Sequence, residues 1–256
     1  MVSTGFKQTT QTFVSDKLRD IIMNTWIIPD IHGFSKTLEG LLSQIQPSKS
    51  DHLIFLGDYI DRGPDSKGVM DLVMNMEQEG YQITALKGNH ESYFVEAYYQ
   101  AFENGRGVFR KKNQKQKTWF EHGGKEALKS FGVKDLRKVP EKYIKWIEGT
   151  KLYYQTDNYL IVHAGMNFTI DDPYLDTHAM LWIKDFEVIP EKIGHRKVVH
   201  GHTPVSHEFI METIEKDEFD FIDLDNGVYM QGRTGFGNLM ALEIDSKQLV
   251  VRPAEE

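Results

Sequence analysis

The chemistry in this chain sits in short polar clusters, each placed just after an apolar run. The densest is Gly57-Asp-Tyr-Ile-Asp-Arg-Gly63, which follows His52-Leu-Ile-Phe-Leu56 and ends at Pro64. Two carboxylates and a guanidinium within seven residues do not pack in a core unpaired. Comparable clusters are Asp30/His32, Asn89/His90, His163 and His202. Carboxylate, imidazole and amide oxygen together suit divalent ions such as manganese, iron or zinc better than calcium. Asp58 has two carboxylate oxygens and can bridge two ions. A pair of ions about 3.5–4 Å apart clamps the attacking and leaving oxygens of an in-line displacement.

The elements that must position these residues are legible as strand–loop–helix units. Thr25–Ile28 reads as a buried strand ended by Pro29. Ser35 then caps a helix carrying Leu38, Leu41, Leu42 and Ile45 at helical spacing. Strand 52–56 precedes a helix from Ser66 to Glu79, and Tyr81–Leu86 is a third strand. Such alternation predicts a mostly parallel sheet, whose loops at the C-terminal strand ends form the crevice. Residues 92–150 read as helical, with Tyr93, Phe94, Tyr98 and Phe102 as a buried stripe. A basic stretch follows, with Arg110, Lys111, Lys112, Lys115 and Lys117 in a cap over the site or on a solvated face. From Lys151 the pattern changes to short strands. They include a hairpin about Asp157-Asn158, Lys197–Val199, Phe219–Leu224, Leu239–Ile244 and Gln248–Arg252, read as a second, antiparallel-rich sheet. The fold class expected is α/β, two packed mixed sheets flanked by helices. Residues 1–22 form an appended segment, and 23–256 one domain with 92–150 as a helical cap-like insertion.

Composition narrows the function. The 256 residues are 40% hydrophobic and 27% charged, with a net charge of −8. That balance argues against a nucleic-acid binder, whose affinity rests on phosphate neutralisation. Cysteine is absent, so disulfides and thiolate metal sites are excluded. There is no apolar run of about 18 residues, so no membrane partner is expected. The start lacks the pattern of a signal peptide, which gives a cytoplasmic expectation.

Asp30-Ile-His-Gly33, Gly57–Gly63, Gly88-Asn-His-Glu91, His163-Ala-Gly165 and Gly201-His-Thr-Pro204, in that order, resemble the five blocks of the calcineurin-like metallophosphoesterases. The form Gly-Asp-x-x-Asp-Arg-Gly resembles the phosphoprotein phosphatase branch, including small bacterial and phage serine/threonine phosphatases. The resemblance implies a four-layer β-sandwich fold and two divalent ions, manganese first, with iron or zinc also fitting. It assigns Asp30 and His32 to one ion, Asp58 to both, and Asn89, His163 and His202 to the other. A hydroxide bridging the ions would attack phosphorus directly. His90 would protonate the leaving oxygen, and Asp61 would keep His90 cationic. Arg62, with Asn89, would hold the phosphate.

Two departures stand out. Pro29 occupies a position that is usually glycine. Lys184, in Leu181-Trp-Ile-Lys184, stands where the branch carries a second phosphate-binding arginine; it keeps the charge and loses the planar fork. The function expected is phosphomonoester hydrolysis, with a phosphorylated protein or peptide as substrate. The alternatives are a dinucleoside-polyphosphate hydrolase and an inactive metal-binding module. Asp61 favours the first, because symmetrical dinucleoside-tetraphosphate hydrolases typically carry alanine there. The remaining histidines, His52, His122, His178, His195 and His207, read as surface or structural residues.

Overall fold

The computed structural model describes residues 23–103 and 114–256. The appended segment 1–22 and Arg110, Lys111 and Lys112 of the basic stretch lie outside them. Among the described residues, no helix is long and apolar enough to cross a membrane.

Strands β1 (Thr25–Ile28), β2 (His52–Phe55) and β3 (Gln82–Ala85) pair in parallel, in the order β3-β2-β1. Helices α1 (Ser35–Ile45) and α2 (Ser66–Gln78) make the crossovers. Successive side chains in these strands serve two cores, as the period of two requires. Trp26, Ile28, Leu53 and Phe55 meet the helices, while Ile27 and Ile54 face the second sheet. Burial on both faces explains why β1 and β2 read as apolar runs, while β3 at the sheet edge is less apolar.

Ser35 is the first residue of α1, not its cap, and its hydroxyl donates to Asp65 Oδ2 at 2.8 Å. Among the described residues of the next segment lie four α-helices: α3 (Asn89–Glu103), α4 (Gln114–Glu121), α5 (Gly124–Ser130) and α6 (Glu141–Glu148). Within the expected stripe Phe94 and Tyr98 are buried, but Phe102 is exposed. Lys115 and Lys117 are exposed on α4 and pair with Glu96 and Glu121.

The second sheet runs β4 (Tyr153–Gln155), β5 (Tyr159–Val162), β6 (Lys197–His200) and β7 (Phe221–Asp223). Here the expectation needs correcting. Beyond the β4–β5 hairpin its pairings are parallel, and the last hairpin, β8 (Asn238–Glu243) with β9 (Gln248–Pro253), belongs to the first sheet. β8 lies antiparallel to β1. Its alternate residues fill both cores, with Leu239 and Ala241 toward the helices and Met240 and Leu242 toward the other sheet. The strand pattern was correct; sheet membership depends on packing partners, which alternation does not encode.

The two sheets thus share one apolar layer, with helices outside the first. Short helices, including α7 (Ala179–Trp182), lie outside the second, and α8 (His207–Glu215) follows β6.

Candidate metal centre

The C-terminal ends of β1, β2 and β3 in one sheet and of β5 and β6 in the other bring all five clusters together. Asp58 lies at the centre. His32 Nε2 is 3.6 Å from Asp58 Oδ2, and His163 Nε2 is 3.6 Å from Asp58 Oδ1. Two groups form around it, His32–Asp58–His90 and Asp58–His163–His202, each with its ligating atoms within 4.8 Å of one another. Asp30 reaches the same place from β1, accepting the His202 N–H at 3.1 Å through Oδ2.

Backbone strain concentrates here. Eight non-glycine residues have positive φ among those described, and five are His32, Asp58, Asp61, Arg62 and His202. Such conformations cost about 1–3 kcal/mol each and persist where the surroundings enforce them. The surroundings are visible. His32 N–H donates to Asp58 O, tying the first two loops together. Glu91 ties the second to the third: Oε2 accepts from the N–H groups of Asp58 (2.8 Å) and Gly88 (2.9 Å), and Oε1 from Tyr59 (2.9 Å). Gly88 must lack a side chain, because a Cβ would lie 2.1 Å from Asp58 Oδ1; at Gly201 it would lie 2.3 Å from Asp30 Oδ2.

The donor set fits cations. Backbone carbonyls hold both key imidazoles by Nδ1: Ile60 O at 3.0 Å from His32 and Leu56 O at 3.0 Å from His163. That turns each Nε2 lone pair inward. The Asn89 amide lies 3.0 Å from His163 Nε2 and 3.1 Å from His202 Nδ1, and its neighbours are all acceptors. An NH2 group satisfies them without ions, while the amide oxygen turned to the same place ligates one. Asp30 Oδ1 is buried without a hydrogen-bond partner.

Burial sets the proton affinities. It pushes Asp58 up to about 7, against the pull of Arg62, and raises Asp30 well above its ordinary value, with the Asp58 charge adding to it. It lowers His163 and His202 to about 3 and His32 well below its ordinary value. Neutral imidazole is the ligating form, and a cation would stabilise the carboxylates as anions.

Beside this group, His90 Nδ1 lies 2.7 Å from Asp61 Oδ2. Burial works against charge in the pair, pulling His90 down and Asp61 up. The contact has the geometry expected for a cationic His90, but the surroundings oppose that charge. Arg62 stacks on Tyr229, 4.2 Å from the ring centroid, and donates to His32 Nε2. Ligation through His32 therefore requires the guanidinium to turn toward the cleft. The cleft holds about 450 Å³, and Lys184 is exposed at its wall.

Several residues here lacked a sequence signal. His122, read as a surface or structural histidine, lines the cleft with its ring stacked on Tyr93 at 4.7 Å. Trp182 meets Tyr93 edge-on at 4.7 Å. Asp225 is buried with Oδ2 unpartnered, and the Asp30 charge adds to the burial that raises its pKa. Its position after β7 was the available clue, since other strand ends carry the acidic residues.

The model of the calcineurin-like phosphoesterases matches residues 23–230. The chain belongs to that family. It is accordingly a phosphoester hydrolase, and the family implies divalent metal ions. Serine/threonine-protein phosphatase 1 of Salmonella typhimurium is 26% identical, over 71% of this chain and 79% of that protein. The asymmetrical bis(5'-nucleosyl)-tetraphosphatase PrpE of Oceanobacillus iheyensis is 29% identical, over 70% and 76%. The fold of this calcineurin-like phosphoesterase is shared with a putative diadenosine tetraphosphatase (TM-score 0.57, 17% identity, 91% of this chain and 95% of that one). A serine/threonine phosphatase from Saccharomyces cerevisiae shares it too (TM-score 0.58, 12% identity, 91% and 81%).

Proposed function

We propose that residues 23–256 form one catalytic unit that hydrolyses phosphomonoesters, with phosphoserine or phosphothreonine in proteins or peptides as the substrate class. The observation that carries this reading is the 2.7 Å contact between His90 and Asp61, beside the converging ligands. A carboxylate-held imidazole there suits protonation of a poor, alkoxide-like leaving group. Asp30 and His32 would hold one divalent ion, Asn89, His163 and His202 a second, and Asp58 both. Manganese fits an oxygen- and nitrogen-donor set without thiolates. When bound, the ions supply an activated water nucleophile and neutralise charge on the phosphoryl oxygens.

The chain's own residues do the rest. Arg62 and Lys184 hold the phosphoryl oxygens, Arg62 through its planar fork and Lys184 as a point charge. Asn89 faces both the ligands and the phosphate. His90 delivers its proton to the leaving oxygen, and Asp61 holds the imidazole by Nδ1.

The test is metal content together with manganese-stimulated hydrolysis of nitrophenyl phosphate, wild type against Asp58→Asn. About two ions per chain in the wild type, and activity lost in the variant, are expected. Turnover unchanged by Asp58→Asn would end this reading and favour a metal-binding module.

A dinucleoside-polyphosphate hydrolase is the second reading, favoured by the aromatic wall of Tyr93, Trp182 and Tyr229, which suits a nucleobase. Comparing diadenosine tetraphosphate with a phosphopeptide separates the two.

A further inference from the structure

Helix α4 brings Trp119 against the Asp61–His90 pair. The indole is fully buried. Its Nε1–H donates to both oxygens of Asp61, 2.9 Å from each, while Asp61 Oδ2 also meets His90 Nδ1 at 2.7 Å. One donor straddling both oxygens fixes the plane of the carboxylate and aims Oδ2 at the imidazole. The backbone of Asp61 is pinned as well, at φ 72° with its N–H on Ser66 Oγ at 2.9 Å.

Trp119 has little freedom to turn that donor away. Its ring stacks on Phe94, centroids 4.9 Å apart and planes 27° apart. Gly124 lies so close that a Cβ there would sit 2.3 Å from the ring. The following turn presses on the same loop, since a Cβ on Gly123 would lie 2.6 Å from Arg62 N. Packing alone asks only for a large apolar ring, which phenylalanine supplies. The indole adds one polar atom, and that atom is directed at the Asp61 carboxylate.

We propose that Trp119 is a positioning residue that locks the Asp61 carboxylate and, through it, aims His90 at the leaving group. The inference rests on the acid role given to His90 above. As the oxygen of the attacking water bonds to phosphorus, the P–O bond to the leaving group breaks and its electron pair goes to the leaving oxygen, which takes the proton from His90 Nε2. Asp61 keeps Nδ1–H and does not change protonation, and water later restores the proton. Helix α4 thereby completes the acid machinery from outside the loops that carry it.

The test compares Trp119→Phe with wild type on two esters. Nitrophenyl phosphate has a good leaving group and should lose less than about threefold in kcat. An alkyl ester such as phosphoserine needs protonation and should lose about tenfold or more, with KM and metal content unchanged. Combined with Asp61→Asn, Trp119→Phe should add nothing further, because both act through one carboxylate. Equal losses on the two esters, or additive losses in the double variant, would overturn the inference.

His90→Asn serves as the reference. If it shows no dependence on the leaving group, the acid assignment falls and this inference with it. If it shows the dependence and Trp119→Phe does not, only the role of Trp119 falls. Should Trp119→Phe fold poorly, benzothienylalanine at position 119 keeps the ring shape and replaces N–H by sulfur. It should reproduce the selective loss on the alkyl ester, and wild-type behaviour there would refute the proposal.

Discussion

Arg62 and Lys184 carry the same charge in different settings. Arg62 is half-buried, stacked on Tyr229 and held on a strained loop. Lys184 is exposed at the cleft wall. Arg62→Ala should therefore cost kcat/KM about a hundredfold, the scale of a charge-assisted hydrogen bond made where water is excluded. Lys184→Ala should raise KM less than about fivefold, because solvent screens an exposed charge. Steady-state kinetics on one phosphate ester checks both, and a larger loss at Lys184 would show it doing what the missing arginine would have done. The residues that meet at the centre were legible in the sequence because strand ends carry them and short glycine-bounded blocks mark them. His122 and Trp119 were not. Their partners, Tyr93 and Asp61, lie on other elements, Asp61 being 58 positions away from Trp119. A lone aromatic in a helix has no spacing that announces such a partner.

The elements owe their alignment at the site to Glu91. Its carboxylate accepts three backbone N–H groups, from the loop after β2 and the loop after β3. Glu91→Gln replaces one acceptor oxygen by an NH2 that faces donors. The loss expected is about 2–4 kcal/mol in unfolding free energy, the scale of one or two buried donors left unpaired. Urea denaturation measures it, and weaker metal binding should accompany it, since Asp58 loses its anchor. A change within about 0.5 kcal/mol would mean the loops are held by the sheet alone. Strands 25–28 and 52–55 could be read from their apolar runs, and 82–85 from the repeat of strand, loop and helix, as could the helices between them. The home of the last hairpin could not. Leu239–Ile244 reads as a mostly apolar run buried on both faces, and only its packing between the helical core and the second sheet decides which edge it joins.

At the scale of the whole molecule, stability should depend on pH through His52. Its Nε2 lies 2.9 Å from Thr84 Oγ1, and burial, then Lys151, lowers its pKa. The folded state thus binds fewer protons than the unfolded one. The stability this group protects is present above the unfolded value, about 6.5, and is lost as pH falls below it. His52→Gln should therefore lose less stability than wild type between about pH 8 and pH 5.5, as read by urea midpoints. Equal slopes would show that His52 titrates alike in both states.

The candidate ligands also come from both sheets: Asp30, His32, Asp58 and Asn89 follow strands of one, His163 and His202 strands of the other. A cation bound there works as a clasp across the sandwich, and it binds only the folded chain. Its contribution follows mass action, about 2.7 kcal/mol when free ion exceeds the dissociation constant a hundredfold. Chelation should lower the melting temperature as well as the rate. Supply of the ion then governs two quantities at once, how fast the protein works and how long it survives, so scarcity of metal would be felt first as turnover of the protein itself.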